Sequence, residues 1–216
     1  MIIDAHTHIE GLPGCPWLDP PEMILRLMDE AGIEKAAVMT YVDAPLAHPA
    51  YDPIVYVREA VERYPDRLIG FVRLNPGAAQ AAELLIKAIK DWGFSGLKLH
   101  PSGYRQPPDS AETVRLLRLA AQLGVPVLFH CGDEDHTLPL EIERAATLCP
   151  ETTIILGHMG GYFHVDDAIE VACRCPNIIL ETSAMPRPHC ISTARDRIGA
   201  QRIIYGSDGP GCDPRL

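Results

Sequence analysis

Two histidines spaced two residues apart, His6 and His8, close the apolar opening stretch Met1-Ile2-Ile3-Asp4-Ala5. On an extended strand alternate side chains share a face, so the two imidazoles point the same way, about 7 Å apart along the backbone. That spacing lets both converge on one metal ion, with Zn–N bonds of roughly 2.0–2.1 Å. A pair of strand-end histidines satisfied by neighbouring groups is the plain alternative. The remaining polar residues must decide between the two.

Those residues fall in a pattern. Lys98 and His100, then His130, His158 and Glu181 each close an apolar run, and Asp208 follows the last run in Tyr205-Gly206-Ser207-Asp208. Five of the nine histidines lie at such ends, and His48, His136, His164 and His189 fall in the loops that follow them. Taken singly, His130 or His158 reads as a satisfied buried histidine. Taken with the first pair, three histidines and an aspartate make a mixed nitrogen and oxygen set suited to Zn²⁺, with Mn²⁺, Fe²⁺ and Co²⁺ as alternatives.

The elements that carry these residues alternate. Strands are expected at 1–9, 35–40, 68–73, 96–100, 126–130, 153–158, 177–181 and 202–205. Helices are expected at 20–31, 54–64, 78–90, 111–123, 140–148, 165–173 and 191–198, with Asp19 as the N-cap of the first, prolines in its first turn and Gly32 as its stop. Eight strands and seven helices without a break in composition argue for parallel βαβ units in one domain, residues 1–216. The expected architecture is a small TIM (β/α)8 barrel, whose active sites form at the C-terminal ends of the strands. An open doubly wound sheet is disfavoured because no Gly-x-Gly-x-x-Gly follows the first strand. The eighth strand has no helix after it, so either a further C-terminal segment or another chain, as in a homodimer, is expected to cover that flank.

Composition narrows the function. With 29 acidic against 19 basic residues, a net charge of −10 and no basic run, phosphate neutralisation on a nucleic acid is disfavoured. No run of 18 or more uncharged apolar residues is present, so no membrane span is expected, and the opening stretch lacks the basic region of a signal peptide. Seven scattered cysteines, an odd number, read as reduced thiols of a cytoplasmic protein. Cys173-Arg174-Cys175 lies at an expected helix end before Pro176 and reads as structural.

Nearly the whole chain resembles the amidohydrolase superfamily, in its amidohydrolase-2 branch of aminocarboxymuconate semialdehyde decarboxylase and related lactone hydrolases. The resemblance is carried by Ile3-Asp4-Ala5-His6-Thr7-His8, Met28-Asp29-Glu30-Ala31-Gly32-Ile33, Gly96-Leu97-Lys98-Leu99-His100-Pro101, His130-Cys131-Gly132, Gly157-His158-Met159-Gly160-Gly161 and Gly206-Ser207-Asp208-Gly209-Pro210. It implies one divalent metal, zinc first, held by His6, His8, His130 and Asp208, with His158 beside it to polarise substrate or move protons. The implied reaction is hydrolysis of a small lactone, ester or amide through a metal-activated water, with Asp208 as general base. Non-oxidative decarboxylation at the same metal is the alternative.

Lys98, His100, Arg73 and Glu181 are the expected substrate-binding residues for a small, anionic substrate; Tyr104, Arg105 and Arg187 follow strand ends and could add to them. In binuclear members of the superfamily a strand-four lysine is carboxylated and bridges two metals, which makes a second metal at Lys98 the lesser expectation. A metal-dependent deoxyribonuclease of the TatD type would need a bridging glutamate where Lys98 stands. A non-catalytic sensor barrel would be revealed by a purified protein nearly free of metal.

Overall fold

The structure, a computed structural model, describes residues 1–215, and their contacts gather into two compact units. The first comprises Met1–Leu97 with the segment from Tyr205 onward, and the second Lys98–Ile204.

In the first unit, β1 (Ile3–His8), α1 (Pro21–Ala31), β2 (Lys35–Met39), α2 (Pro53–Arg63), β3 (Leu68–Arg73) and α3 (Ala81–Lys90) alternate as expected. β1 pairs parallel to β2, and β2 parallel to β3. Helix α1 buries Pro21, Ile24 and Met28, a single stripe at helical spacing, and ends on Gly32 in the left-handed region at φ 69°. The expected cap at Asp19 is not made. Pro20 takes the N-cap position without a side-chain bond, and Asp19 instead pairs with Glu10 as an antiparallel bridge across the first loop. Asp52 does cap α2, its carboxylate accepting from the N–H groups of Ile54 and Val55.

β1 is not regular. Asp4 pairs with Ala36 and Thr7 with Val38, so three steps on β1 match two on β2. This is a bulge immediately before the second histidine, a device that re-aims side chains at strand ends.

β4 (Gly96–Leu99) leads into the second unit, which continues with α4 (Pro101–Tyr104), α5 (Ala111–Leu123), β5 (Val127–His130), α6 (Pro139–Leu148), β6 (Ile154–Gly157), α7 (Val165–Arg174), β7 (Ile178–Glu181), α8 (His189–Ile198) and β8 (Ile203–Ile204). Strands β5, β6, β7 and β8 pair parallel in chain order. The apolar residues of β5, β6 and β7 are buried apart from the half-buried Ile179, as a parallel sheet covered by helices on its outer face requires, and the two isoleucines of β8 are half-buried.

The single-turn α4 was not expected, because Pro101 and Gly103 weaken a helical reading of so short a stretch. β8 is two residues long where four were expected. His158 lies just past β6, in a 3-10 turn rather than on the strand. No helix among the described residues is long and apolar enough to cross a membrane. All seven cysteines are free thiols.

Candidate metal and catalytic residues

In the first unit the histidine pair meets the aspartate. His6 is fully buried and its ring lies 5.1 Å from that of His8, centroid to centroid. The Oδ1 atom of Asp208 is 3.2 Å from His8 Nε2 and 3.7 Å from His6 Nε2.

The backbone explains how residues about 200 positions apart arrive together. Segment 205–209 runs along β1: Ala5 N–H donates to Tyr205 O, Asp208 N–H to His6 O at 2.8 Å, and His8 N–H to Gly209 O at 2.7 Å. Asp4 braces both sides, its Oδ1 accepting from His6 N–H at 3.1 Å and from Ser207 N–H at 3.0 Å. Asp208 itself is held at φ 62°, a left-handed conformation uncommon outside glycine and typical of functional sites.

Two neighbours shape this half. Tyr41, two residues past β2, stacks on His8 at 4.3 Å and 15°, and the Trp17 ring lies 5.9 Å from that of Tyr41, tilted by 46°. Burial pushes the Tyr41 phenol up, with the carboxylates of Asp19 and Asp208 adding to the shift. Glu10, buried just after β1, accepts from the N–H groups of Gly11, Leu12 and Tyr41 and from the Tyr51 hydroxyl. It pins the loops that follow β1 and β2. Arg73, at the end of β3, has its Nε 2.7 Å from Asp43 Oδ1 in a largely buried pair.

The second unit carries His100, His130, His158, Lys98 and Glu181. His130 Nδ1 faces His158 Nε2 at 3.1 Å. On the other side of the ring, His130 Nε2 is 3.9 Å and His100 Nε2 3.7 Å from Glu134 Oε2, and the Ser102 hydroxyl donates to that same oxygen. His100, His130 and Glu134 thus offer three ligand atoms within 4.8 Å of one another. Lys98 is fully buried on β4.

His158 sits at φ 65°, followed by Met159 at φ 50°, so two consecutive non-glycine residues adopt the left-handed region. Its N–H donates to Glu181 Oε2 at 3.2 Å, and its Nδ1 lies 3.0 Å from Ser183 Oγ and 3.3 Å from Ser183 O. Glu181 is fully buried at the end of β7. It also accepts from the Ser183 N–H and, at 2.8 Å, from the Ser183 hydroxyl. Burial pushes its carboxyl up, against the opposing pull of His158 and the Ser183 donors.

A divalent cation fits the donor set of the first unit. Two imidazole nitrogens and a carboxylate oxygen, 3.2 and 3.7 Å apart, approach the roughly 3.3 Å ligand separations expected around a tetrahedral ion with bonds of about 2.0–2.2 Å. Asp4, Glu10, Tyr41, Glu134 and Ser183 were not singled out from the sequence. Asp4 was the most accessible of them, since it alternates with His6 and His8 on one strand face.

Comparison with solved structures gives the fold class. The chain is similar to a TIM-barrel protein of Bordetella bronchiseptica, with a TM-score of 0.80 and 20% identity over 99% of this chain and 88% of that one. It is also similar to a dihydroxybenzoic acid decarboxylase of Polaromonas sp. with bound manganese and the inhibitor 2-nitroresorcinol (TM-score 0.69, 21% identity, 98% and 87% covered). A third likeness is to a probable 2-pyrone-4,6-dicarboxylic acid hydrolase of Acinetobacter baumannii with citric acid bound (TM-score 0.67, 17% identity, 99% and 86% covered). The fold is that of a (β/α)8 barrel. No curated protein matches the chain. Residues 3–216 match the amidohydrolase family, and the chain belongs to it, in the amidohydrolase-2 branch.

Proposed function

We propose that this amidohydrolase is a metal-dependent hydrolase of a small lactone, ester or amide, using one divalent cation, zinc first, held by His6, His8, His130 and Asp208. The observation that carries the reading is the convergence of His6 Nε2 and His8 Nε2 on Asp208 Oδ1 in a buried setting. Membership in the family supports adding His130. When bound, the cation supplies Lewis-acid polarisation and lowers the pKa of water from 15.7 to about 7.

The chain's own groups do the rest. Asp208, a quarter exposed and acceptor-only when ionised, takes the proton of the attacking water. His158, anchored through its backbone N–H and its Nδ1, has Nε2 to carry a proton to the leaving group. Lys98, His100, Arg73 and Glu181 are carried forward as the substrate-binding set. Arg73 can contribute only through the guanidinium nitrogens that its bond to Asp43 leaves over. A second metal on a carboxylated Lys98 is the lesser proposal. Seven free thiols fit a reducing, cytoplasmic setting, and a homodimer is one candidate assembly.

Decarboxylation is the second reading, favoured by the likeness to a manganese-containing dihydroxybenzoic acid decarboxylase. Here the bond to the carboxylate breaks, CO2 leaves, and His158 returns a proton to the carbon. Both readings favour a small anionic substrate. Incubating the metal-replete protein with dihydroxybenzoates and with dicarboxylated lactones separates them. Ring-opened product without CO2 supports hydrolysis, and CO2 release without hydrolytic product overturns it.

A further inference from the structure

We propose that the second unit carries a divalent-cation site of its own, formed by His100, His130 and Glu134, and that a cation there inhibits by withdrawing His130 from the four-ligand set proposed above. The site stands on the geometry of the second unit alone. Only the inhibition rests on that earlier reading.

The two imidazoles face one carboxylate oxygen. His100 Nε2 is 3.7 Å and His130 Nε2 3.9 Å from Glu134 Oε2, and all three ligand atoms lie within 4.8 Å of one another. Both gaps exceed the roughly 2.7–3.2 Å of an N–H···O hydrogen bond, so neither histidine bonds that oxygen directly. Ligands around a tetrahedral ion with bonds of about 2.0–2.2 Å stand roughly 3.3 Å apart, so the contacts to Glu134 need to close by about half an ångström. The exposed Glu134 side chain can move that far. Two imidazoles and a glutamate are a donor set that zinc accepts with water in its fourth position. A carboxylate kept there only as a counter-charge would contribute little, because exposed ion pairs are screened by solvent.

The loop after β5 is built to present this carboxylate. The hydroxyl of the buried Thr137 accepts the Glu134 N–H at 3.2 Å and donates to Glu134 O at 2.7 Å, and the Thr137 N–H donates to the same carbonyl at 3.0 Å. Ser102, two residues past His100, donates its hydroxyl to Oε2, the kind of support that ligating carboxylates carry. The cluster borders a hollow of about 520 Å³ lined by Ser102, Arg105, Glu134, Asp135 and His136. The His100 and His130 side chains are 20% and 23% exposed, so an ion reaches them from solvent.

An imidazole nitrogen holds one ion at a time. His130 Nδ1 is turned to His158 at 3.1 Å, and Nε2 is the nitrogen on the Glu134 side. A cation bound here through Nε2 therefore takes that nitrogen from any other ion.

The test is a zinc titration of the metal-stripped full chain, read by calorimetry and by competition with a chromophoric chelator. Wild type should take up one equivalent that survives dialysis and a second, weaker one in excess zinc. Glu134→Gln and His100→Gln should each weaken the second by more than the roughly 10–100-fold that loss of a supporting residue costs, and leave the first in place. His136→Gln, in the same hollow, should change neither. On a turned-over substrate, the wild-type rate should fall as the second equivalent binds, and the Glu134→Gln rate should hold level over the same zinc range. A wild type that never takes a second equivalent overturns the site, as does a second equivalent undiminished in Glu134→Gln. A second equivalent that leaves turnover unchanged overturns the inhibition. If His100→Gln does not fold, Glu134→Gln decides, since that residue is exposed and glutamine keeps its shape. Failure to hold the first equivalent would instead count against the proposed function, and the Glu134-dependent uptake would still decide this site.

Discussion

Asp4 is the place where the site half of the first unit can be loosened most selectively. Its Oδ1 accepts two buried N–H groups, those of His6 and Ser207. One belongs to the first histidine of the pair on β1 and the other immediately precedes Asp208. Asp4→Ala removes the acceptor and leaves both donors inside the protein. An unsatisfied buried donor costs about 1–3 kcal/mol, so the variant should lose about 2–6 kcal/mol. With a urea slope of about 2 kcal/mol per molar, the unfolding midpoint should fall by roughly 1–3 M. Asp4→Asn keeps an oxygen at the same position and should recover most of that loss. Urea titrations followed by far-ultraviolet circular dichroism read both variants, and zinc titration of the folded proteins reads the second effect, a weakened metal affinity in Asp4→Ala. If Asp4→Ala unfolds at the wild-type midpoint, the brace contributes nothing and the account of how Asp208 is brought to β1 fails.

Three further outcomes are expected. His8→Ala should stay folded yet lose bound metal on dialysis, by more than the roughly 10–100-fold that loss of a supporting residue costs; elemental analysis alongside circular dichroism measures it. Glu10→Ala strands the N–H groups of Gly11, Leu12 and Tyr41, so limited proteolysis should cut within residues 11–19 and 41–52 faster than in wild type. Stability should decline in alkali, because burial raises the Cys131 thiol above its ordinary 9.0 and the Tyr41 and Tyr51 phenols above 10.0. Raised values mean the unfolded chain releases these protons first, so the stabilisation is whole below about pH 9 and is lost above it. Urea midpoints that do not fall between pH 8 and pH 11 would contradict this.

Much of the architecture was legible in the sequence because it depends on local periodicity. Apolar runs of four to six residues separated by amphipathic helices with glycine stops give the alternation directly, and α1 and α5 end on Gly32 and Gly124 as such stops require. The histidine pair and Asp208 were legible because each ends or follows an apolar run. What escaped was whatever depends on distant partners. The Asp4 brace spans 203 positions, and the alternation of Asp4 with His6 and His8 gives its strand face but not its distant partner. Asp19 has the residue type of a helix cap, but the bridge to Glu10 pulls it away from the helix start. The left-handed positions at His158, Met159 and Asp208 are not themselves glycines, and the glycines beside them do not say which residue takes the positive φ. Ser183 looked like one polar loop residue among several, and only the approach of His158 to within 3.0 Å gives it a chemical meaning.

The pairing of segment 205–209 with β1 also bears on how the protein emerges from the ribosome. Parallel strands β1, β2 and β3 and their helices are all made within the first 97 residues, but Asp208 follows more than a hundred residues later. Contacts this remote in sequence close late, since the intervening loop's entropy must be offset first. A nascent chain will therefore hold His6 and His8 without their aspartate for most of its synthesis. Metal loading should accordingly be a post-translational event, and chains stalled before residue 205 should show little affinity for zinc.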